Sequence, residues 1–402
     1  MHRESIDNFE EGIRYATFGR WILKSLGIWP ETEESEMRKC FSNLLIVIGN
    51  LILSFAIIPC FLYVILEERD LNIKLKLFGL VSFASSATLK YCFLFLHQSE
   101  IAECIKYLKH DWHQVKHRAH RELMLRYAKI ARKLTILCAI FMYTGGIVFH
   151  TILPFSAPRI VDQNNRTLKP VVYPSYSVLY NVQMSPTYEF VYLLHCMCGY
   201  VIYSVTVGAC NLAAVFTMHV CGQIEIIASF MDDLVEGKKF DAGRPCASQR
   251  LTAIIKHHLR VLRLATIIRS LLQEVCLIEF LGSVSIICLL EYYCITDWEE
   301  SNGISLSTYA TLLISLSFNI FILCYLGECL MNKTSQVGAK VFTINWYCLP
   351  PEAARALVLI IAVSHKPVKI TAGRLIDLSL FTFGNILKTT LVYLNFLRTL
   401  VV

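Results

Sequence analysis

The sequence predicts an all-α membrane protein of seven transmembrane helices, with a cytosolic N-terminus, an extracellular C-terminus and helical extensions on the cytosolic side. Three observations carry this expectation. Hydrophobic residues make up 55% of the 402 and charged residues 17%, against about 45–50% and about 25% in soluble domains. Seven apolar stretches approach the roughly 20 residues that a bilayer core demands. Lys and Arg alternate steeply between successive loops, which sets orientation.

The apolar stretches fall at residues 41–66, 75–96, 134–153, 190–217, 275–295, 306–330 and 380–401. Charges and a Gly27-Ile28-Trp29-Pro30 turn precede the first, and no short cleavable apolar region stands before it, so the first span is expected to be retained. Upstream of it, Tyr15, Phe18, Ile22, Leu26 and Trp29 recur at helical spacing opposite Arg14, Arg20 and Lys24. That is the pattern of a helix lying on the membrane surface, or of an ordinary cytosolic helix. A further apolar run at 356–363 is too short to span and reads as the core helix of a cytosolic segment.

Segments 1–40, 97–133, 218–274 and 331–379 hold six, nine, eight and six Lys and Arg, 29 in all. The alternate loops 67–74, 154–189 and 296–305 hold two, three and none. The bias places the first set in the cytosol. It divides the chain into a cytosolic or interfacial leader (1–40), a six-span bundle (41–330), a cytosolic anchor segment (331–379) and a last helix (380–402). The formal charge of +7 is therefore an orientation signal, and no nucleic-acid partner is expected.

Catalytic and metal motifs are missing: there is no His-Glu-x-x-His zinc helix, no phosphate loop and no Gly-x-Ser-x-Gly elbow. His110, His113, His117 and His120 have spacings that put all four on one helical face, and His257 adjoins His258. No Cys or carboxylate pattern completes a site, so neither a metal nor another cofactor is expected. The sequon at Asn165 falls in an outer loop where glycosylation is expected to be possible; that at Asn332 falls inside. Seven helices with a cytosolic N-terminus are inverted relative to a G-protein-coupled receptor. Repeated halves with matched broken helices are absent, which makes a transporter the weaker alternative.

In the last span, Asn385, Lys388, Asn395 and Arg398 imply a polar neighbour at membrane depth. Glu274, Glu279 and Glu291, in or beside the fifth span, read as ion-pair partners for Lys90, Lys388 or Arg398.

The C-terminal third carries Trp346-Tyr347-Cys348-Leu349-Pro350-Pro351, then Ile370-Thr371-Ala372-Gly373-Arg374, Leu378-Ser379-Leu380-Phe381-Thr382-Phe383, Leu387-Lys388-Thr389-Thr390 and the ending 393–398. As a series these resemble the insect odorant receptors. The leader Leu26-Gly27-Ile28-Trp29-Pro30 and Tyr188-Glu189-Phe190 at the fourth span are similar to family patterns too. The last span departs from the ubiquitous co-receptor and the long insertion in its second cytosolic loop is missing, so this chain resembles an odour-tuning subunit.

The resemblance implies a non-selective cation channel in the plasma membrane of a sensory neuron, opened by a small volatile odorant. It implies a tetramer held by cytosolic helices, formed with co-receptor subunits or as a homotetramer. Its partners are then the odorant, those subunits, permeant cations and the lipid bilayer. Carried over by position, Phe396 and Leu400 match the family's hydrophobic constriction, with Thr399 beside it and Asn395 facing the pore; such a gate works by dewetting. A metabotropic receptor is the alternative.

The family's ligand pocket lies in the outer half of each bundle. There the third span offers Tyr143, Gly146 and His150 at spacings of three and four, and the fourth offers Tyr192, His195 and Gly199. Phe83 and Ser86 on the second span and Tyr309 on the sixth join them by depth. Glycines in such places also serve helix packing. The two histidines are the stronger candidates, because a polar group within a span needs a partner and a ligand can be one.

Overall fold

A computed structural model describes residues 19–30, 36–115, 117–156, 169–176, 182–236, 247–299 and 303–401. Its helices are α1 (Arg20–Ser25), α2 (Glu36–Leu62), α3 (Leu71–Leu96), α4 (Gln98–Gln114), α5 (Arg118–Ile147), α6 (Leu153–Ser156), α7 (Thr187–Glu236), α8 (Ala247–Glu299), α9 (Gly303–Thr343), α10 (Pro351–Ser364) and α11 (Leu380–Val401). One two-residue hairpin, β1 (Thr371–Ala372) with β2 (Ile376–Asp377), precedes α11. Among the described residues six helices are long and apolar enough to cross a membrane, and they coincide with the first six predicted spans. The seventh, α11, is helical over the predicted stretch.

At the centre stands α7, buried on every side from residue 201 to 218 and packed against α2, α3, α5, α8 and α9. Small residues make this burial possible. The Leu23 side chain lies against Gly208, and the Tyr127 ring against Gly222.

With 50, 53 and 41 residues, α7, α8 and α9 are roughly 75, 80 and 60 Å long at 1.5 Å per residue. A hydrocarbon core is only about 30 Å thick, so these helices run far past the predicted spans. Their extensions meet at one end of the bundle and are fastened there by ion pairs. Lys333 reaches Glu225 at 2.5 Å and Lys340 reaches Asp232 at 2.8 Å. Asp111 accepts from His219 at 2.9 Å and pairs with Arg260. The short α10 lies on α9 and buries Ala353, Leu357 and Ile360, as expected of a helix too short to span.

Two expectations need correction, and the leader is described only in part. The described part, α1, is six residues long and docks on the bundle with Leu23, Leu26 and Ile28 buried, while Trp21 is 79% exposed. Gly27, at φ +72°, turns the chain in a conformation that suits a residue without Cβ. Its carbonyl accepts from Gln98 Nε2 at 2.9 Å, and the Leu26 carbonyl accepts from Tyr91 at 2.6 Å. Residues 1–18 lie outside the described residues.

The four histidines at 110–120 do not share one helix face, because α4 ends at Gln114 and α5 begins at Arg118. No group of three potential metal ligands forms among the described residues. Finally, the loop predicted at 296–305 is shorter, since α8 continues to Glu299.

The loop between α2 and α3 engages its carboxylates locally. Asp70 caps α3 by accepting from the Asn72 N–H at 2.8 Å. Glu68 accepts from the N–H groups of Asp70 and Arg69 and from the Tyr63 hydroxyl. The Asp70 N–H chiefly holds the Glu68 carboxyl below the usual carboxylate range.

Lys90 is 1% exposed and Glu279 5% exposed, and they pair at 2.5 Å in the middle of the bundle. Asn319 and Ser283 donate to the other carboxylate oxygen at 2.6 and 3.2 Å, and Lys90 also donates to Thr206 at 3.0 Å. This is one of the ion pairs the sequence pointed to. Glu291 accepts from Thr390 on α11 at 3.1 Å; the side chain of Arg398, its other predicted partner beside Lys388, lies outside the described residues.

Candidate functional site

A cavity of about 230 Å³ opens between the helices where α3 and α9 begin and α8 ends. Lys76, Leu80 and Phe83 come from α3, Met142 from α5 and Tyr203 from α7. Ile286, Leu289, Leu290 and Tyr293 come from α8, and Tyr309, Leu312, Ser315 and Leu316 from α9. The spacings of three, four and seven mark one face of each helix. Phe149 and two residues of the loop before α7, Val172 and Tyr173, complete the wall. The lining is mostly aliphatic and aromatic with few polar groups, the make-up of a site for a small apolar molecule.

Of the nine residues read from the sequence as pocket candidates, Phe83 and Tyr309 line the cavity. Gly146 stands behind it: a Cβ there would run into the Tyr203 ring, so this glycine lets Tyr203 lie back and leave the space open. Gly199 does the same for His150. Tyr143 shares a hydrogen bond of 2.8 Å with Ser204. Tyr192 donates to the His150 carbonyl at 2.6 Å, and Ser86 to the Phe83 carbonyl at 2.8 Å. These hold the wall's backbone and rotamers in place.

His150 and His195 are 6% and 1% exposed. His150 Nδ1 donates to the Gly146 carbonyl at 3.1 Å, which leaves Nε2 as an acceptor with no hydrogen-bond partner among the described residues. His195 Nδ1 is equally buried and lacks one. The Tyr173 ring covers both, with centroids 5.1 Å from His195 and 6.0 Å from His150, and Tyr203 meets His150 edge-on at 5.8 Å. The imidazoles therefore sit one layer behind the cavity, screened by two tyrosines that do line it.

Tyr203, Tyr173, Tyr293 and Lys76 were missed by sequence reasoning. A signal existed for Lys76, the first charge inside the second predicted span. Tyr173 had none, because it lies in a loop expected to be outside and is nonetheless 2% exposed.

A second cavity of about 1050 Å³ lies at the opposite end, between α4, α5, α7 and α8, with Asp111, His120, Arg250, His257 and Arg260 on its wall. Its charged lining does not suit an apolar guest. Asn395 is exposed on α11. The backbone at Phe396, Thr399 and Leu400 is helical, but their side chains, like the whole of Asn165, lie outside the described residues.

A multi-pass helical membrane protein that holds an aromatic-walled apolar cavity between its helices has the build of a small-molecule receptor. Residues 75–391 match the family profile described as 7tm Odorant receptor, and the chain belongs to that family, whose members are receptors and not enzymes. Odorant receptor 82a of Drosophila melanogaster is 26% identical over 223 residues, 55% of this chain and 56% of that protein. Thus the chain matches about half the length of that relative. Odorant receptor 85c of the same species is 21% identical over 96% of this chain and 98% of its own. Among solved structures, the olfactory receptor OR5 of Machilis hrabei in complex with eugenol covers 99% of this chain and 100% of its own at a TM-score of 0.79 and 13% identity. At that identity the likeness shows the fold.

Proposed function

We propose that this chain is an odour-tuning subunit of an odorant-gated, non-selective cation channel in the plasma membrane of a sensory neuron, with its N-terminus in the cytosol. Four subunits, this chain together with an insect co-receptor or four copies of it, surround a pore lined by α11. Residues 1–40 form the leader, 41–330 the bundle that holds the odorant, 331–379 the anchor between subunits and 380–402 the pore helix.

One observation carries most of this reading. Helix α8 has two working faces: Ile286, Leu289, Leu290 and Tyr293 line the cavity, while Glu291 holds Thr390 of α11. A guest that moves α8 therefore moves the last helix. On α11 the residues turned to its own bundle are Ile386, Thr390 and Leu394, and those turned away include Asn385, Lys388 and Asn395. Polar residues on the outward face suit a helix that borders water in an assembly. Phe342, Trp346 and Tyr347 and the α10 residues Val358 and Leu359 are exposed at the other end, an apolar surface suited to contacts between anchors. The likeness to a receptor solved with eugenol supports a small volatile ligand. Asn395, Phe396, Thr399 and Leu400 are assigned to the pore and its gate.

Orientation gives a direct test, because a metabotropic receptor of the usual seven-helix kind has its C-terminus inside. With an epitope tag after Val402, antibody is expected to label intact cells. Labelling only after permeabilisation contradicts the proposal.

A further inference from the structure

Two imidazole nitrogens are buried with no hydrogen-bond partner among the described residues, Nε2 of His150 and Nδ1 of His195. Buried polar groups are nearly always paired, so such exceptions point to a partner from outside the chain. The two belong to one place. His150 Nε2 is turned to α7 at Gly199, where a Cβ would come within 2.6 Å of it, and Gly199 stands one helical turn from His195 on the same face. The Tyr173 ring closes over both, its centroid 6.0 Å from that of His150 and 5.1 Å from that of His195. Tyr173 and Tyr203 also form part of the wall of the apolar cavity, so they divide an apolar chamber from a polar niche. The two are not held alike. Tyr203 projects from α7, with Gly146 behind it and the Phe83 ring 6.0 Å away. Tyr173 belongs to the segment before α7, which is tied down at Lys169 and Pro170 by Gln183 and Tyr188.

We propose that the ligand carries a hydroxyl group, as an alcohol or a phenol. The hydroxyl turns Tyr173 aside and bonds to His150 and His195, while the apolar body stays in the cavity. The proposal rests on the receptor reading above and names its ligand class. Because His150 Nδ1 donates to the Gly146 carbonyl, Nε2 can only accept. A hydroxyl has one donor and two acceptor lone pairs. It therefore donates to His150 Nε2 and accepts from His195 in the tautomer with its proton on Nδ1. A ketone, an ether or a hydrocarbon brings no donor and leaves Nε2 unmet. The preference holds even where a water molecule serves the niche before the ligand arrives, since a guest gains by displacing ordered water only if it reproduces that water's hydrogen bonds.

The experiment measures thermal stabilisation of the purified full-length chain in nanodiscs by 1-octanol, its isomer 1-methoxyheptane, and octane. 1-Octanol is expected to act at roughly tenfold lower concentration than the isomeric ether, a difference of about 1.4 kcal/mol. His195→Leu is expected to bring the two isomers level and to leave the unliganded chain as stable as before, because it removes an unpartnered group and not a bond. His195→Asn keeps an amide near the place of Nδ1 and is expected to keep the preference. His150→Leu is the second variant, expected to lose the preference as well, although it also gives up the bond to Gly146. Equal action of the isomers on the unsubstituted chain overturns the proposal, and so does a preference that survives in both leucine variants. Stabilisation by none of the three probes removes the receptor reading and the proposal with it. The expected preference without evoked current in cells leaves the proposal standing and removes the channel reading alone.

Discussion

Replacing Glu279 with alanine is expected to destabilise the bundle by about 3–5 kcal/mol, because it strands the Lys90 ammonium inside with no counter-charge. The two groups are almost completely buried and 2.5 Å apart, between α3 and α8, with Asn319 of α9 and Thr206 of α7 donating or accepting at the same point. Four helices are thereby joined at one polar knot in an apolar interior. Lys90→Ala is expected to do comparable harm by leaving a bare carboxylate. The double change Lys90→Met with Glu279→Met removes both charges together and is expected to recover most of the loss, since a buried pair replaced by apolar residues is often nearly neutral. Thermal unfolding of the detergent-solubilised chain, read for the two single variants and the double, measures the coupling. Single variants as stable as the parent chain would show that the pair is not buried as described.

A pair of glycine substitutions is expected to part stability from response. A Cβ at Gly327 on α9 would collide with the backbone carbonyl of Leu378, just before α11. Backbone cannot swing aside as a side chain can, and Leu378 is fixed by its N–H bond to the Ile370 carbonyl at 2.9 Å across the hairpin. Gly327→Ala is therefore expected to cost at least about 1–3 kcal/mol, the usual range for overpacking, and to sharply reduce folded protein at the cell surface. A Cβ at Gly146 meets the ring of Tyr203 first, and that ring borders the cavity. Gly146→Ala is expected to push Tyr203 into the cavity, so that folded protein reaches the surface while responses to larger ligands are lost. Surface labelling and evoked currents for the two variants check both halves. Normal responses from Gly146→Ala at normal surface levels would detach Tyr203 from the ligand site.

The spans were legible because a chain crossing lipid must satisfy its backbone within the segment and keep charge out, which writes long apolar runs into the sequence. What lay beyond them was not. Gly222 stands just past the predicted fourth span, yet α7 does not break there and continues with Glu225, Asp232 and Asp233 in place of apolar residues. Conversely, one helix ends at Gln114 and the next begins at Arg118, where nothing in the residue types signals a break.

Within the site, Phe83 and Tyr309 were found by depth, and Gly146 and Gly199 by their small size at helical spacing. Leu80, Leu290 and Leu312 were invisible. A leucine facing a cavity and one facing lipid look alike until tertiary packing fixes each helix's rotation. On α5 and the helical turn that follows it, Val148–Ile152, the reading took the face of Tyr143 and His150, whereas the neighbouring Met142 and Phe149 line the space. Tyr173 reaches the bundle from a loop, a placement that periodicity does not encode.

The central claim is that a small molecule in this cavity opens an ion path without an intermediary. Whole-cell current from cells expressing this chain with an insect odorant co-receptor, challenged with a volatile panel while G-protein signalling is blocked, tests it most directly. The account predicts a rapid odour-evoked cation current that survives the block. A response that the block abolishes, with surface expression verified, would contradict it.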